Sequence, residues 1–312
     1  MSGTAAARRW RPSWSRPAPA RVPAAASGTR TGWLPVAVAA TALLASTPGI
    51  AAFAAASDAA GFPASVQQGA LVVAHVARGS RVSYAGRDLR VAPDGAVAFG
   101  IGRDEKGPAT VDVRTRDGRR QRVQIAVTPR DWPVERVDGV PPATVEPPPE
   151  IAERIKREQA RVVAARVRDD AREDFLETFV WPVTGRISGR FGNQRVYVVN
   201  GKDVPKSPHS GMDIAAPQGT PVKAPAGGIV TFVAPDLYLT GGTLLLDHGH
   251  GVSSNFLHLS RIDVKVGDRV EQGQVIGAVG KTGRATGPHL HWGLNWFDVR
   301  LDPLLLEGIA RN

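Results

Sequence analysis

The chain has 312 residues, of which 42% are apolar and 22% are charged, with 34 glycines, 25 prolines and no cysteine. Single domains centre on about 100 to 150 residues, so this length predicts two folded units with connecting segments, and the apolar fraction excludes wholesale disorder. Without cysteine, a disulfide scaffold, a cysteine nucleophile and a thiolate metal site are excluded, so a metal would need histidine and carboxylate ligands.

The formal net charge of +10 is unevenly distributed along the chain. More than half of the excess lies in the first 33 residues, which carry six arginines and no acidic residue. No later segment combines a basic run with interleaved aromatic residues, the pattern typical of nucleic-acid binding. The sequence therefore predicts no nucleic-acid partner.

Residues 1–56 have the layout of a signal peptide or a membrane anchor. An arginine-rich stretch precedes an apolar run at 33–56 that ends in small residues, with a plausible cleavage site at 54–57. Ser-Thr-Pro-Gly at 46–49 interrupts the run and favours cleavage, although about 20 apolar residues also suffice to span a bilayer. We expect an exported chain, either periplasmic or anchored in the inner membrane and facing the periplasm.

Residues 57–136 predict a small β-sandwich domain. Short β-type runs alternate with turn residues, and the expected strands cover 71–76, 81–84, 96–99, 110–113 and 121–127. His75 stands alone in an apolar strand, so we interpret it as a structural or surface histidine, because metal sites need clustered donors.

Residues 137–180 predict a proline-rich linker followed by a charged helix. The helix is expected over 150–177, where charges alternate without glycine or proline, and Ile151, Ile155 and Val162 form a thin apolar stripe. We interpret it as a largely solvated spacer, with a regulatory or partner-binding helix as the alternative.

Residues 181–312 predict an antiparallel β domain with long loops and no helix of more than two turns. Strands are expected at 243–247, 252–258 and 274–279, with a break at 247–249. His248 and His250 are therefore interpreted as turn residues, with metal capture as the alternative. The long polar segment 194–208 is expected to form one wall of a groove.

The same domain holds six of the seven histidines, at spacings that suit a metal site. His209 and Asp213 are four residues apart, and His289 and His291 are two apart, so each pair shares a face of an extended chain. His258 ends a predicted strand. One carboxylate oxygen and two imidazole nitrogens would leave tetrahedral Zn²⁺ one open position, as in catalytic zinc sites.

Five stretches make the domain resemble the M23 family of LytM-type, lysostaphin-like zinc metallopeptidases, which cut peptidoglycan peptides. The resemblance covers 179–306, and its stretches are 181–192, 209–217, 256–260, 266–277 and 282–291. It implies a LytM-type, barrel-sandwich-like β fold, peptidoglycan as the partner, and Zn²⁺ held by His209, Asp213 and His291. His258 and His289 are implied to be the unligated catalytic pair, one of them the general base.

Two positions depart from the family pattern. Phe256 stands where many relatives have tyrosine, and we expect it to pack rather than react. No tyrosine closely precedes His209, so Tyr197 is the nearest candidate for stabilising a tetrahedral intermediate.

Two other classes of function remain open. The turn at 266–277 is similar to that of biotinyl and lipoyl carriers, but neither Lys265 nor Lys281 has the expected setting, and the histidines would be unexplained. Alternatively, the chain is an exported LytM-like binding protein that activates a separate wall amidase. The intact set of five metal and catalytic positions favours the enzyme.

Overall fold

The computed structural model describes residues 61–306 and residue 308. Within this part of the chain the secondary structure is almost entirely β, with 21 strands and one α-helix. The predicted signal peptide or anchor at 1–56 lies outside the described residues. Among the described residues, no helix has the length and apolar character needed to cross a membrane.

Seven strands form the N-terminal module. Alternation of apolar and polar residues buries one face of a strand, as where Val111 and Val113 are buried while Asp112 is exposed. One sheet has the order β1-β7-β6-β3-β4, and β2 pairs with β5. The five predicted strands are confirmed. The bounds are β1 (Ser65–Gln67), β2 (Leu71–His75), β3 (Arg81–Tyr84), β4 (Arg87–Leu89), β5 (Ala96–Gly100), β6 (Ala109–Arg114) and β7 (Arg120–Thr128).

The other fourteen strands build the C-terminal part. Its main sheet has the order β18-β14-β15-β16-β20-β12-β9, with β21 beside β20, and its strand pairs are antiparallel, as predicted. The bounds are β8 (Val134–Val137), β9 (Arg186–Gly189), β10 (Gln194–Val199), β11 (Lys202–Pro205), β12 (Met212–Ala215), β13 (Pro221–Lys223), β14 (Gly228–Leu237), β15 (Gly241–Gly249), β16 (Val252–Leu259), β17 (Arg261–Ile262), β18 (Arg269–Val270), β19 (Val275–Ala278), β20 (His289–Trp296) and β21 (Val299–Leu301).

The helix is shorter than the sequence predicts. It covers Pro149–Arg166 (α1), so the prediction of a helix as far as 177 was wrong. The following residues contact the C-terminal end of β15 instead: Arg172 donates to the backbone oxygen of Asp247 (2.8 Å) and to its carboxylate (2.5 Å). The His250 N–H also donates to the Asp170 carbonyl oxygen. These tertiary contacts replace the helix, although the local sequence contains no helix breaker.

One face of α1 packs against the main sheet, while most of its residues remain at least partly exposed, in agreement with the prediction of a largely solvated helix. Val162 and Ala165 contact the buried cluster that includes Phe232 and Leu245. Glu158 accepts a hydrogen bond from the backbone N–H of Tyr238 in the turn after β14 (2.8 Å). The helix is therefore fastened along the surface of the C-terminal part.

The hydrophobic core runs from the N-terminal module into the C-terminal part. The rings of Tyr84 and Trp296 lie 6.0 Å apart. A Cβ on Gly100 would come within 2.9 Å of both Leu301 and Trp296, so glycine permits close packing of β5 on β20 and β21. The described residues lie in one compact unit, and division into domains at 57–136, 137–180 and 181–312 stays a prediction.

Candidate metal centre

Three side chains predicted to share a site meet on the main sheet. Antiparallel pairing of β12 with β20 places Asp213 directly opposite His291, and His209 precedes β12. The Asp213 Oδ1 atom lies 3.1 Å from Nε2 of His209 and 2.9 Å from Nδ1 of His291. The same two nitrogens are 3.0 Å apart. Two imidazole nitrogens and one carboxylate oxygen thus converge on one point.

The chemistry of this donor set fits a divalent metal. Nδ1 of His209 lies 3.0 Å from the Arg190 carbonyl oxygen, which can only accept, so Nδ1 carries the proton and Nε2 presents a lone pair. The candidate ligand atoms of His209, Asp213 and His291 all lie within 4.8 Å of one another. All three residues are largely buried, where converging lone pairs without a cation would be unfavourable.

The charges of the centre are set by burial and by its own members. Burial alone would raise the pKa of Asp213, but His209 and His291 outweigh it and hold that pKa well below its usual range. Burial lowers the pKa of His291 to about 4, although nearby Asp213 opposes the shift. At neutral pH the set is therefore a carboxylate with a neutral imidazole at His291, the protonation states that metal binding requires.

Arg195 is a component of the centre that sequence reasoning missed. It lies on β10 and donates from Nη2 to Oδ2 of Asp213 (2.7 Å), while its Nε is 3.5 Å from a carboxylate oxygen of Glu135. Gly189 makes room for this pair, since a Cβ there would lie 2.5 Å from Asp213 Oδ2. Arg195 thereby fixes one oxygen of Asp213 and leaves Oδ1 facing the two histidines.

A β-bulge turns His258 toward the centre. In the pairing of β15 with β16, Gly242 faces Leu259 and Leu244 faces Phe256, so two residues on β16 oppose the single residue Thr243. His258 has a positive φ of 64°, which is unusual for a residue other than glycine. The bulge re-aims its side chain away from the core face that Phe256 occupies.

His258 and His289 lie beside the three candidate ligands. Their ring centroids are 4.7 Å apart, and the His258 ring is 6.4 Å from that of His291. Nδ1 of His258 lies 2.7 Å from the Thr282 carbonyl oxygen, and Nδ1 of His289 lies 2.8 Å from that of Gly287. Because a carbonyl only accepts, each Nδ1 carries the proton, and each Nε2 is left as the basic nitrogen.

Burial, with His289 and His291 nearby, lowers the pKa of His258 to about 3, so this imidazole is neutral at physiological pH. Nε2 of His289 lies 3.8 Å from Oδ1 of Asp213. The arrangement therefore brings together all five residues that the sequence singled out.

The remaining histidines lie elsewhere. His75 is exposed, 3.6 Å from Asp94, as expected for a surface histidine. His250 occupies the turn after β15, with a positive φ of 49°, as predicted. The interpretation of His248 as a turn residue was wrong: it lies within β15, buried, with ring nitrogens near the Gly227 carbonyl oxygen and the Ser254 hydroxyl. Because β15 continues to Gly249, the predicted break at 247–249 is not formed.

A groove of about 1610 Å³ opens over the centre. The polar segment 194–208 folds into the β10–β11 hairpin and contributes Arg195 and Tyr197 to the lining, which agrees with its predicted position. Tyr197 is buried, and its ring lies under the guanidinium of Arg284. Residues of helix α1 also line this groove. Phe256 is fully buried, which confirms that it packs.

Comparisons with known proteins point to one family of peptidases. The family model described as peptidase family M23 matches residues 207–303. The chain is 42% identical over 109 residues to the peptidoglycan DD-endopeptidase ShyA of Vibrio cholerae, a match covering 35% of this chain and 24% of ShyA. It is 48% identical over 84 residues to the DD-carboxypeptidase/endopeptidase Mpg of Neisseria meningitidis, covering 27% of this chain and 19% of Mpg. The chain thus spans about a quarter or less of these curated relatives.

Among solved structures, a putative peptidase M23 from Pseudomonas aeruginosa is similar over most of both chains. The TM-score is 0.59 at 34% sequence identity, and the match covers 77% of this chain and 94% of the other. The similarity therefore extends beyond residues 207–303 and includes most of the described residues.

Proposed function

Because the chain belongs to peptidase family M23, we propose that it is a zinc-dependent endopeptidase that hydrolyses cross-bridges or stem peptides of peptidoglycan in the cell envelope. The observation that carries the proposal is the convergence of His209, Asp213 and His291 beside His258 and His289. The similarity to ShyA, a peptidoglycan DD-endopeptidase, supports peptidoglycan as the substrate, and the similarity to Mpg, a DD-carboxypeptidase/endopeptidase, supports peptide hydrolysis.

His209, Asp213 and His291 would hold the zinc ion. A set of two histidines and one carboxylate is typical of catalytic zinc, which keeps a position open. When bound there, zinc would act as a Lewis acid on the scissile carbonyl and would lower the pKa of a bound water toward ~7.

His258 and His289 would move protons during hydrolysis. Each donates from Nδ1 to a backbone carbonyl, so each offers Nε2 as a base, and the low pKa of His258 keeps it neutral before reaction. Water attack on the peptide bond releases one proton that a base must accept, and the departing amine requires one. Two adjacent imidazoles can accept and return that proton.

The cell envelope is proposed as the location because residues 1–56 resemble an export signal or anchor. Peptidoglycan lies outside the cytoplasm, so an exported enzyme would meet its substrate. A protein that only bound the wall or activated an amidase would not need five histidine and aspartate side chains assembled at one point.

The test is digestion of purified peptidoglycan by the chain, followed by mass analysis of the soluble products. We expect new peptide termini, whose masses identify the cleaved bond, and none from Asp213→Ala. Unchanged peptidoglycan with the zinc-loaded wild-type protein would contradict the proposal and leave the binding or activator function.

A further inference from the structure

Two arginines, the buried Arg166 and the half-buried Arg300, lie at one end of the groove, away from the metal centre. Arg300 on β21 faces Asn295 on β20, and Asn295 lies four residues beyond His291 on the same strand. Residues two or four apart on a strand share a face, so Asn295 and His291 point to the same side of the sheet. At about 3.3 Å per residue they are roughly 13 Å apart. Arg166, at the end of α1, lines the same groove.

Neither arginine has an acidic partner among the described residues. Arg166 is 7% exposed, and its buried Nε has no hydrogen-bond partner. Arg300 donates from Nη1 to Oδ1 of Asn295 (2.5 Å), which is a neutral acceptor. The negative charge of Asp298 opposes the lowering of the pKa of both arginines, but Asp298 is exposed and forms no ion pair with either in the part of the chain described.

The two guanidiniums also repel each other. Burial, together with nearby Arg300, lowers the pKa of Arg166 to about 9, and burial lowers the pKa of Arg300. Two other enclosed arginines are paired with carboxylates, Arg195 with Asp213 and Arg130 with Asp302, whereas Arg284 lies over the ring of Tyr197. An enclosed charge without an acidic partner is unfavourable, so binding of an anion by these two arginines would lower the free energy.

Polar side chains hold Arg300 in place on the groove floor. Asn295 accepts from Arg300 and donates from Nδ2 to Oδ1 of Asn255 (3.0 Å). Gly293 lies opposite Asn255, and a Cβ there would come within 2.6 Å of its side-chain oxygen. Hydrogen bonds thus connect Arg300 through Asn295 to Asn255, in the direction of the metal centre, and Gly293 leaves room for the Asn255 side chain.

We propose that Arg166 and Arg300 form a subsite for a free carboxylate of the substrate peptide. The inference rests on the proposed function and names the chemical class of peptide that the groove selects. A guanidinium can bind a carboxylate through two parallel hydrogen bonds, which gives orientation as well as affinity. The ~13 Å from His291 corresponds to about four residues of extended peptide, so the carboxylate lies several residues from the cleaved bond.

The test compares two peptidoglycan-derived peptides that differ only in whether their terminal carboxyl group is free or amidated. Wild-type protein should hydrolyse the free form with at least a tenfold higher kcat/KM, mainly through a lower KM. Arg300→Gln and Arg166→Gln should each lose most of this preference, so that the ratio of kcat/KM for the free and amidated peptides falls toward one. Arg300→Lys, which keeps the charge but not the planar fork, should retain part of it.

Arg122→Gln is the matched control, since Arg122 is exposed on β7 and pairs with Asp112. It should keep the wild-type preference. Equal kcat/KM for the two peptides in the wild type, or an unchanged preference in both Arg→Gln variants, would overturn the proposal.

Calorimetric binding of the same two peptides separates this proposal from the proposed function. If the wild type hydrolyses neither peptide but binds the free form more tightly, and Arg300→Gln abolishes that difference, the subsite stands while the hydrolytic function fails. Equal affinities of the wild type for both peptides would overturn the subsite.

Discussion

At the residue scale, Asp213 connects the members of the centre, because it contacts both candidate histidine ligands and Arg195. Loss of one ligand from a three-ligand site removes much of its metal affinity, so alanine at His209, Asp213 or His291 should abolish bound zinc as well as activity. Alanine at His258 or His289 should retain zinc while turnover falls by about 10² to 10⁴. Zinc analysis beside a hydrolysis assay distinguishes the groups. Zinc lost from His289→Ala but kept in His291→Ala would reverse the assignment.

Arg195 should matter for zinc affinity without being a ligand. Arg195→Ala releases Oδ2 of Asp213, and loss of such an orienting partner typically weakens metal binding about 10- to 100-fold. Competition with a chromogenic chelator gives the dissociation constant. Arg136→Ala is the control, because Arg136 is exposed and pairs with Asp203. Equal zinc affinity of Arg195→Ala and the wild type would refute the role.

His248 should make stability depend on pH. Burial lowers its folded-state pKa from 6.5 to about 4, so folding favours the neutral ring. The stability it contributes is complete above pH ~6.5 and is lost as pH falls toward ~4, by on the order of 3 kcal/mol. Urea unfolding at several pH values, with chelator present, should show a flatter profile for His248→Gln. Identical pH profiles for His248→Gln and the wild type would contradict this. His75→Gln is the control, because His75 is exposed.

At the scale of elements, the strands were predictable because alternation and turn residues are local signals. β3 has the bounds that the pattern gave, and β2, β16 and β19 differ from it by one or two residues at their ends. The end of α1 was not predictable, because contacts of Arg172 with β15, distant in sequence, stop the helix without any glycine or proline.

The site was predictable only in part. The spacing of His289 and His291 places them on one face, and the register of β12 with β20 agrees. The bulge that re-aims His258 arises from strand pairing, which a single strand's sequence does not encode. Arg195 and Arg300 were missed because a lone arginine in a strand carries no spacing signal, and their partners are distant in the chain.

At the scale of the whole molecule, α1 lines the groove and is fastened by Glu158 to the turn after β14. We expect this contact to restrict access, so Glu158→Ala should raise the rate of peptidoglycan hydrolysis several-fold at equal zinc occupancy. Glu153→Ala is the matched control, because Glu153 lies on the same helix with its side chain largely in solvent. A rate for Glu158→Ala no higher than that of the control would exclude occlusion by the helix.

In the proposed function, peptidoglycan hydrolysis depends on zinc held by His209, Asp213 and His291. The most direct measurement is the rate of peptide release from purified peptidoglycan by metal-free protein titrated with Zn²⁺. We expect no release without metal and full activity at one equivalent of Zn²⁺, and no release from Asp213→Ala with or without Zn²⁺. Release that continues at the wild-type rate in the metal-free protein would contradict it.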